Sequence, residues 1–135
     1  MMKICTLLLL VLATCFSSMA KNGPEIQFDS LTHDFGTIHE SNGAVDCVFT
    51  YVNIGDAPLS LASVSAPCNC TKAKFSPKPI QPGDSAEITV TFTPKDMSGE
   101  FMRTISVWTN IKKGTKKKKV TLRISGVVIP AKQHD

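Results

Sequence analysis

Cys68-Asn69-Cys70 holds the side chains of this chain that are best suited to chemistry. Thiols at this spacing can form a small disulfide or a redox pair in an oxidising compartment, and two thiolates also suit Cu(I) or zinc. A bridge over so short a loop adds little stability through chain entropy and is easily reduced. The redox interpretation lacks a helix N-terminus to lower a thiol pKa, and a closed zinc site needs four ligands. We therefore favour a structural disulfide or turn, with redox and metal handling as alternatives.

A third cysteine, Cys47, has a different setting. It shares one face of an alternating apolar stretch with Phe49 and Tyr51. Small apolar thiols in such positions are usually buried and unreactive. We predict that Cys47 is a buried free thiol.

Six lysines surround Gly114 in one short segment of the chain. They are Lys112, Lys113, Lys116, Lys117, Lys118 and Lys119. A solvated hairpin tip explains such a cluster, since lysines also discourage pairing between sheet edges. Alternatively, the cluster contacts a polyanion such as a phosphorylated lipid or an acidic glycan. We do not expect nucleic acid, because aromatic and arginine residues are not interleaved with the lysines.

The N-terminus has the three parts of a secretory signal peptide. A positive start at Lys3 precedes the apolar stretch 4–16, and small residues end at Ala20. We expect cleavage after Ala20; the alternative is a lipoprotein signal in which Cys15 is lipidated. The apolar stretch is short for a membrane span, and we expect no such span in the mature chain. We predict a signal peptide over 1–20, one domain over 21–130, a disordered tail over 131–135, and a location in the periplasm or at the cell surface.

Short stretches of alternating apolar and polar residues must position these groups. They cover residues 26–28, 34–38, 45–52, 59–64, 85–93, 101–110 and 120–128. No convincing helix separates them, so the pattern predicts an all-β, immunoglobulin-like β-sandwich of about seven antiparallel strands. The predicted core contains Phe35, Phe49, Leu61, Ile88, Val90, Phe92, Ile105, Leu122 and Ile124.

No set of residues in the sequence resembles a catalytic centre. His33 and Asp34 are adjacent in a predicted strand and therefore point to opposite faces. A nucleophile, a base and an orienting group cannot be selected together. We predict that the protein is not an enzyme, and we assign no metal ligand and no cofactor.

Several short sequences occur here in an order typical of one bacterial family. They include HDFGTI at 33–38, FTYVNIGDAPL at 49–59, PCNCT at 67–71, PIQPG at 79–83 and ISVWTN at 105–110. The chain resembles the uncharacterised-domain family numbered 1573, which is common in envelope proteins of Gram-negative gut-type bacteria. That family is similar to immunoglobulin-like modules of the abnormal-spindle and hydin type and, more distantly, to major sperm protein. Because those relatives are mostly interaction or scaffold modules, the resemblance implies a fold and a binding role but no activity.

One position departs from the family pattern. The family usually has glycine between the two cysteines, where this chain has Asn69. Asparagine tolerates a left-handed backbone nearly as well as glycine does, so we expect the turn to survive.

These observations together predict an exported, non-catalytic module of the cell envelope. Its expected partner is an envelope protein or a polyanionic glycan or lipid. The alternative is a periplasmic redox or metal-handling protein that uses Cys68 and Cys70.

Overall fold

Alternating apolar side chains build eight strands within residues 23–132, which are the residues that the computed structural model describes. The strands are β1 (Ile26–Phe28), β2 (Thr32–His39), β3 (Val45–Asn53), β4 (Leu61–Ser65), β5 (Thr71–Lys74), β6 (Ser85–Phe92), β7 (Gly99–Lys113) and β8 (Lys116–Ile129). A short 3₁₀ turn covers Glu40–Asn42. The predicted signal peptide, its cleavage after Ala20 and the alternative lipidation of Cys15 all lie outside the described residues. Within 23–132, no helix is long and apolar enough to cross a bilayer.

The strands of residues 23–132 form two four-stranded sheets that pack face to face. One sheet has the order β1-β3-β6-β5 and the other has the order β2-β8-β7-β4. The predicted all-β, immunoglobulin-like sandwich is therefore confirmed. The sequence pattern missed β5, because this edge strand is four residues long and buries only Thr71.

The prediction that all strands are antiparallel was wrong for one pair. β2 lies parallel to β8, with Thr32 opposite Arg123 and His39 opposite Ile129. A parallel pair needs a long connection between its strands. Here the strands between β2 and β8 supply that connection, so no helical crossover is required.

The core fills the space between the two sheets. Of the predicted core residues, only Phe35 is not buried. It lies half-buried on the edge strand β2, where its ring meets the His33 ring edge-on with 4.6 Å between centroids. At the centre, Phe92 of β6 stacks on Phe101 of β7 with 4.1 Å between centroids, which joins the two sheets.

A turn after β3 is organised by one fully buried polar side chain, Asn53. Its Nδ2 donates to the carbonyls of Ala57 at 2.8 Å and Ile80 at 3.1 Å. Its Oδ1 accepts the Gly55 N–H at 2.9 Å. A side chain on Gly55 would overlap the backbone of Gly23 and the following residues. Asn53 and Gly55 therefore fix the turn, and Gly55 lets the backbone just before β1 pack closely against it.

Glu40 connects the C-terminal segment to the rest of the domain. Its carboxylate accepts the N–H groups of Asp96 at 2.9 Å and Ala131 at 2.8 Å. These bonds, that of Ala131 foremost, lower the pKa of Glu40. Ala131, where the sequence predicts that a disordered tail begins, is thus hydrogen-bonded; residues 133–135 lie outside the described part.

Candidate functional site

Cys68 and Cys70 lie where the chain crosses from β4 in one sheet to β5 in the other. They form a disulfide with Sγ atoms 2.11 Å apart and Cα atoms 5.2 Å apart. The turn follows β4, where the sequence places it, but both cysteines are half-buried rather than fully accessible. The N–H of Thr71 donates to the Cys68 carbonyl at 3.2 Å, and the N–H of Thr93 donates to the Cys70 carbonyl at 2.8 Å. The pair is therefore held within the backbone network of the sandwich.

The turn does not use the left-handed conformation expected at Asn69. Within residues 23–132, Asp96 is the only non-glycine residue with positive φ. The bond from Thr71 to Cys68 closes the turn with Asn69 in an ordinary backbone conformation. Asn69 therefore does not need the positive φ that glycine adopts most readily.

Cys47 is buried on the central strand β3, as its strand face predicts. Burial, together with the neighbouring Asp46 carboxylate, raises the pKa of the Cys47 thiol to about 11. A thiol with this pKa stays protonated at neutral pH and is a poor nucleophile and metal ligand. The third cysteine therefore belongs to the core.

We expect alkylation and peptide mass spectrometry to show that Cys47 is a free thiol and that Cys68 and Cys70 are joined. Native protein should resist alkylation at Cys47 at pH 8, because the thiol is buried and protonated, and should react there after unfolding. Non-reducing cleavage after Tyr51 places Cys47 apart from Cys68 and Cys70 in different peptides. The peptide with Cys68 and Cys70 should lack two hydrogen atoms and take up no alkylating reagent until reduced. A peptide cross-linked through Cys47 would contradict both the pairing and the strand register.

His33 and Asp34 have separate structural roles. The His33 ring packs on Phe35, whereas Asp34 Oδ1 accepts the Gly36 N–H at 2.8 Å. Gly36 has a φ of 68° at a register shift between β2 and β8, so the Asp34 bond stabilises an irregular backbone. Nowhere in 23–132 do three or more His, Cys, Asp or Glu side chains gather as a potential metal site.

The lysine cluster lies on a hairpin that extends further than its sequence pattern predicts. β7 reaches Lys113 and β8 starts at Lys116, so only Gly114 and Thr115 form the turn. Gly114 has a φ of 65°, which tight hairpin turns require. Lys112 lies opposite Lys117, and Lys113 lies opposite Lys116. Because side chains alternate along a strand, these two pairs project from opposite faces of the hairpin.

Two of the six lysines have partners in the fold. Lys118 Nζ lies 3.0 Å from Glu25 Oε1, and this hydrogen bond is the main cause of the lowered pKa of Glu25. Lys119 Nζ lies 5.5 Å from the centroid of the Trp108 ring, within the range of a cation–π contact. Lys112, Lys113, Lys116 and Lys117 are exposed and form no salt bridge with any residue of the described part, although the charge of Lys113 also helps to lower the pKa of Glu25. We call these four residues the lysine tip.

Sequence reasoning found the lysines but missed the pairing of Lys119 with Trp108. The alternation in β7 already places Trp108 on the face opposite Ile105 and Val107. Its partner depends on the register between β7 and β8, which sets Trp108 opposite Lys119. No local pattern in either strand specifies that register.

Comparison with known proteins gives a family and a fold. The family described as "Protein of unknown function (DUF1573)" matches residues 26–128. No protein of curated function matches the chain.

Three solved structures are similar to the chain. A protein of unknown function from Porphyromonas gingivalis W83 has a TM-score of 0.64 and 17% identity over 82% of this chain, which spans 50% of that protein. The ASH/PapD-like domain 7 of human CEP192 has a TM-score of 0.66 and 13% identity over 90% of this chain and 97% of that domain. The VesB protease of Vibrio cholerae has a TM-score of 0.63 and 16% identity over 76% of this chain but only 31% of the protease. At these identities the likeness shows the fold alone.

Proposed function

We propose that this chain, which belongs to the DUF1573 family of proteins of unknown function, is an exported, non-catalytic module of the cell envelope. In this proposal it binds a polyanionic partner through the lysine tip. The main observation in support is that the four lysines of the lysine tip are exposed on both faces of a hairpin and form no salt bridge within residues 23–132. Opposed like charges destabilise a strand pair. A bound polyanion removes that repulsion, which favours binding at this place.

Export is supported by the leader pattern that ends at Ala20 and by the disulfide between Cys68 and Cys70. Disulfides persist in oxidising compartments such as the bacterial periplasm. We place the mature protein in the periplasm or at the cell surface.

The absence of an activity is part of the proposal. The chain shares its fold with the ASH/PapD-like domain, and it matches only 31% of the similar protease. Neither the half-buried disulfide nor the protonated Cys47 supplies a ready nucleophile.

We expect the pair Lys116→Gln/Lys117→Gln to weaken binding to a polyanion strongly. A lysine near an anionic surface contributes about 1 kcal/mol, so the double variant should bind roughly 30-fold more weakly at low salt. Binding can be measured against anionic vesicles and acidic polysaccharides across a range of salt concentrations. The wild-type affinity should fall steeply as salt rises.

Lys72→Gln/Lys74→Gln is the matched control. These two exposed lysines lie on β5 in the other sheet, so the same loss of charge occurs away from the lysine tip. The control should bind nearly as tightly as wild type. Equal losses in the two double variants would mean that net charge alone drives binding, and the proposed site would be wrong.

A further inference from the structure

The outer face of the sheet β2-β8-β7-β4 carries a group of side chains that do not pack into the core. Residues that alternate with the core positions of β7 and β8 point to this face. They include Trp108 on β7 and Lys119 and Arg123 on β8. Trp108 is the only tryptophan of the chain, and 38% of its surface is exposed. The indole is therefore partly open to solvent, and the Lys119 ammonium is its contact on this face.

Hydroxyl groups surround the indole. They belong to Thr32 on β2, Ser63 and Ser65 on β4, Thr104 and Ser106 on β7, and Thr121 and Ser125 on β8. None of these hydroxyls has a hydrogen-bond partner within residues 23–132. They can therefore donate to and accept from a ligand that is itself rich in hydroxyl groups.

A row of positive charges runs along the same face. Lys117, Lys119 and Arg123 occupy alternate positions of β8 and so project to one side. At about 3.3 Å per residue the row is about 20 Å long. It continues the lysine tip across the sheet. Two carboxylates lie on this face toward its other end: Asp34, which accepts the Gly36 N–H, and the exposed Glu100, which lies opposite Val127.

The outer face of the opposite sheet lacks this combination. Its outward strand positions carry Lys72 and Lys74 beside Asp46 and Glu87, and none of these positions holds an aromatic ring. Asp46 accepts the Thr91 hydroxyl at 2.6 Å, so part of its polar surface is internally satisfied. The two faces of the sandwich therefore differ in charge and in chemistry.

We propose that the outer face of β2-β8-β7-β4 binds an acidic oligosaccharide, with one sugar ring on Trp108 and carboxylate or sulfate groups on Lys119 and Arg123. This inference rests on the proposed polyanion binding and names the class of polyanion. An indole stacks on the C–H face of a sugar ring, and the free hydroxyls exchange hydrogen bonds with those of the sugar. A lipid surface or an inorganic polyanion would use the lysine tip but not the indole or the hydroxyls.

Lys119 has two alternative contacts in this site. Its ammonium group now lies 5.5 Å from the centre of the indole ring. A sugar ring that stacks on Trp108 displaces it toward the acidic group of the same sugar. The ammonium then exchanges a cation–π contact for an ion pair, and the two contacts are of similar strength at an exposed site.

The proposal is tested by measuring the binding of three acidic glycans: polygalacturonate, alginate and heparin fragments. Polyphosphate and phosphatidylglycerol vesicles serve as polyanions that contain no sugar chain. At least one glycan should bind and change the fluorescence of Trp108, which reports this face alone because the chain has a single tryptophan. Trp108→Ala should weaken binding of that glycan about tenfold and leave binding of polyphosphate unchanged. Val48→Ala, which shortens another half-exposed side chain on the opposite sheet, should change neither. Thermal unfolding of each variant checks that it is folded.

The outcomes separate this inference from the proposed function. If polyphosphate or vesicles bind through the lysine tip while Trp108→Ala leaves every glycan affinity unchanged, the sugar-binding face is wrong and the proposed function stands. If none of the three glycans binds, the sugar-binding face is also wrong. If no polyanion of either kind binds, both proposals fail. Loss of glycan binding in both Trp108→Ala and Lys116→Gln/Lys117→Gln, with polyphosphate binding lost only in the latter, supports both.

Discussion

Phe92→Ala is expected to lower the free energy of unfolding by about 3–5 kcal/mol. The Phe92 side chain is fully buried, and its ring stacks on Phe101 across the two sheets. The substitution removes buried apolar surface and leaves a cavity that β-strands on both sides cannot easily close. It also removes an aromatic pair, which contributes beyond its buried area. Denaturant unfolding of wild type and variant, with the slopes compared, measures the effect.

Two companion variants sharpen this test. Phe92→Leu keeps most of the volume and should lose less stability than Phe92→Ala. Val48→Ala lies on the outer face of β3 and should change stability little. An unchanged midpoint in Phe92→Ala would show that the ring is not in the core.

The second large effect is expected at Asn53, where Asn53→Ala should cost about 2–4 kcal/mol. The substitution removes the donor to the carbonyls of Ala57 and Ile80 and the acceptor for the Gly55 N–H. The Ile80 carbonyl keeps the Leu59 N–H, so the loss falls mainly on the Ala57 carbonyl and the Gly55 N–H. Chemical denaturation again gives the measurement.

Asn53→Asp distinguishes lost hydrogen bonds from lost packing. The shape is nearly unchanged, but a carboxylate oxygen now faces the Ala57 and Ile80 carbonyls, which repel it. Burial and this repulsion raise the folded-state pKa of the new carboxyl above its unfolded value. The variant's deficit relative to wild type should therefore be largest at neutral pH and shrink as the pH falls through that raised pKa. A deficit independent of pH would contradict the hydrogen-bonding role of Asn53.

Much of the fold follows from local sequence patterns, and the parts that do not follow depend on register. The alternation of apolar and polar residues in 85–93 and 120–128 is sufficient to identify these strands and their buried faces, because the apolar face of each strand is buried in the core. The parallel pairing of β2 with β8 has no local signature, since it depends on a strand that is distant in the sequence and still has an unpaired edge. The alternating pattern also predicts Phe35 in the core, because it indicates which face of a strand is apolar but not whether the strand lies at the edge of a sheet.

The candidate sites show the same division. Composition alone identifies the lysine cluster, and spacing alone identifies the cysteine pair. The roles of Lys118 and Lys119 depend on Glu25 and Trp108, which are brought to them by sheet packing and strand register. The outer face around Trp108 likewise becomes a single surface only when four strands are placed side by side.

The parallel pairing of β2 with β8 also governs how the chain folds. The paired residues are about 90 positions apart, whereas β7 and β8 are joined by a two-residue turn. Closing the longer loop has the higher entropic cost, so we expect the hairpin of β7 and β8 to form before β2 docks on β8. Until β8 has left the ribosome, β2 lacks the strand with which it pairs, and Ile38 lacks its neighbour Val128. The sheet β2-β8-β7-β4 can therefore be completed only after the last strand of the domain is available.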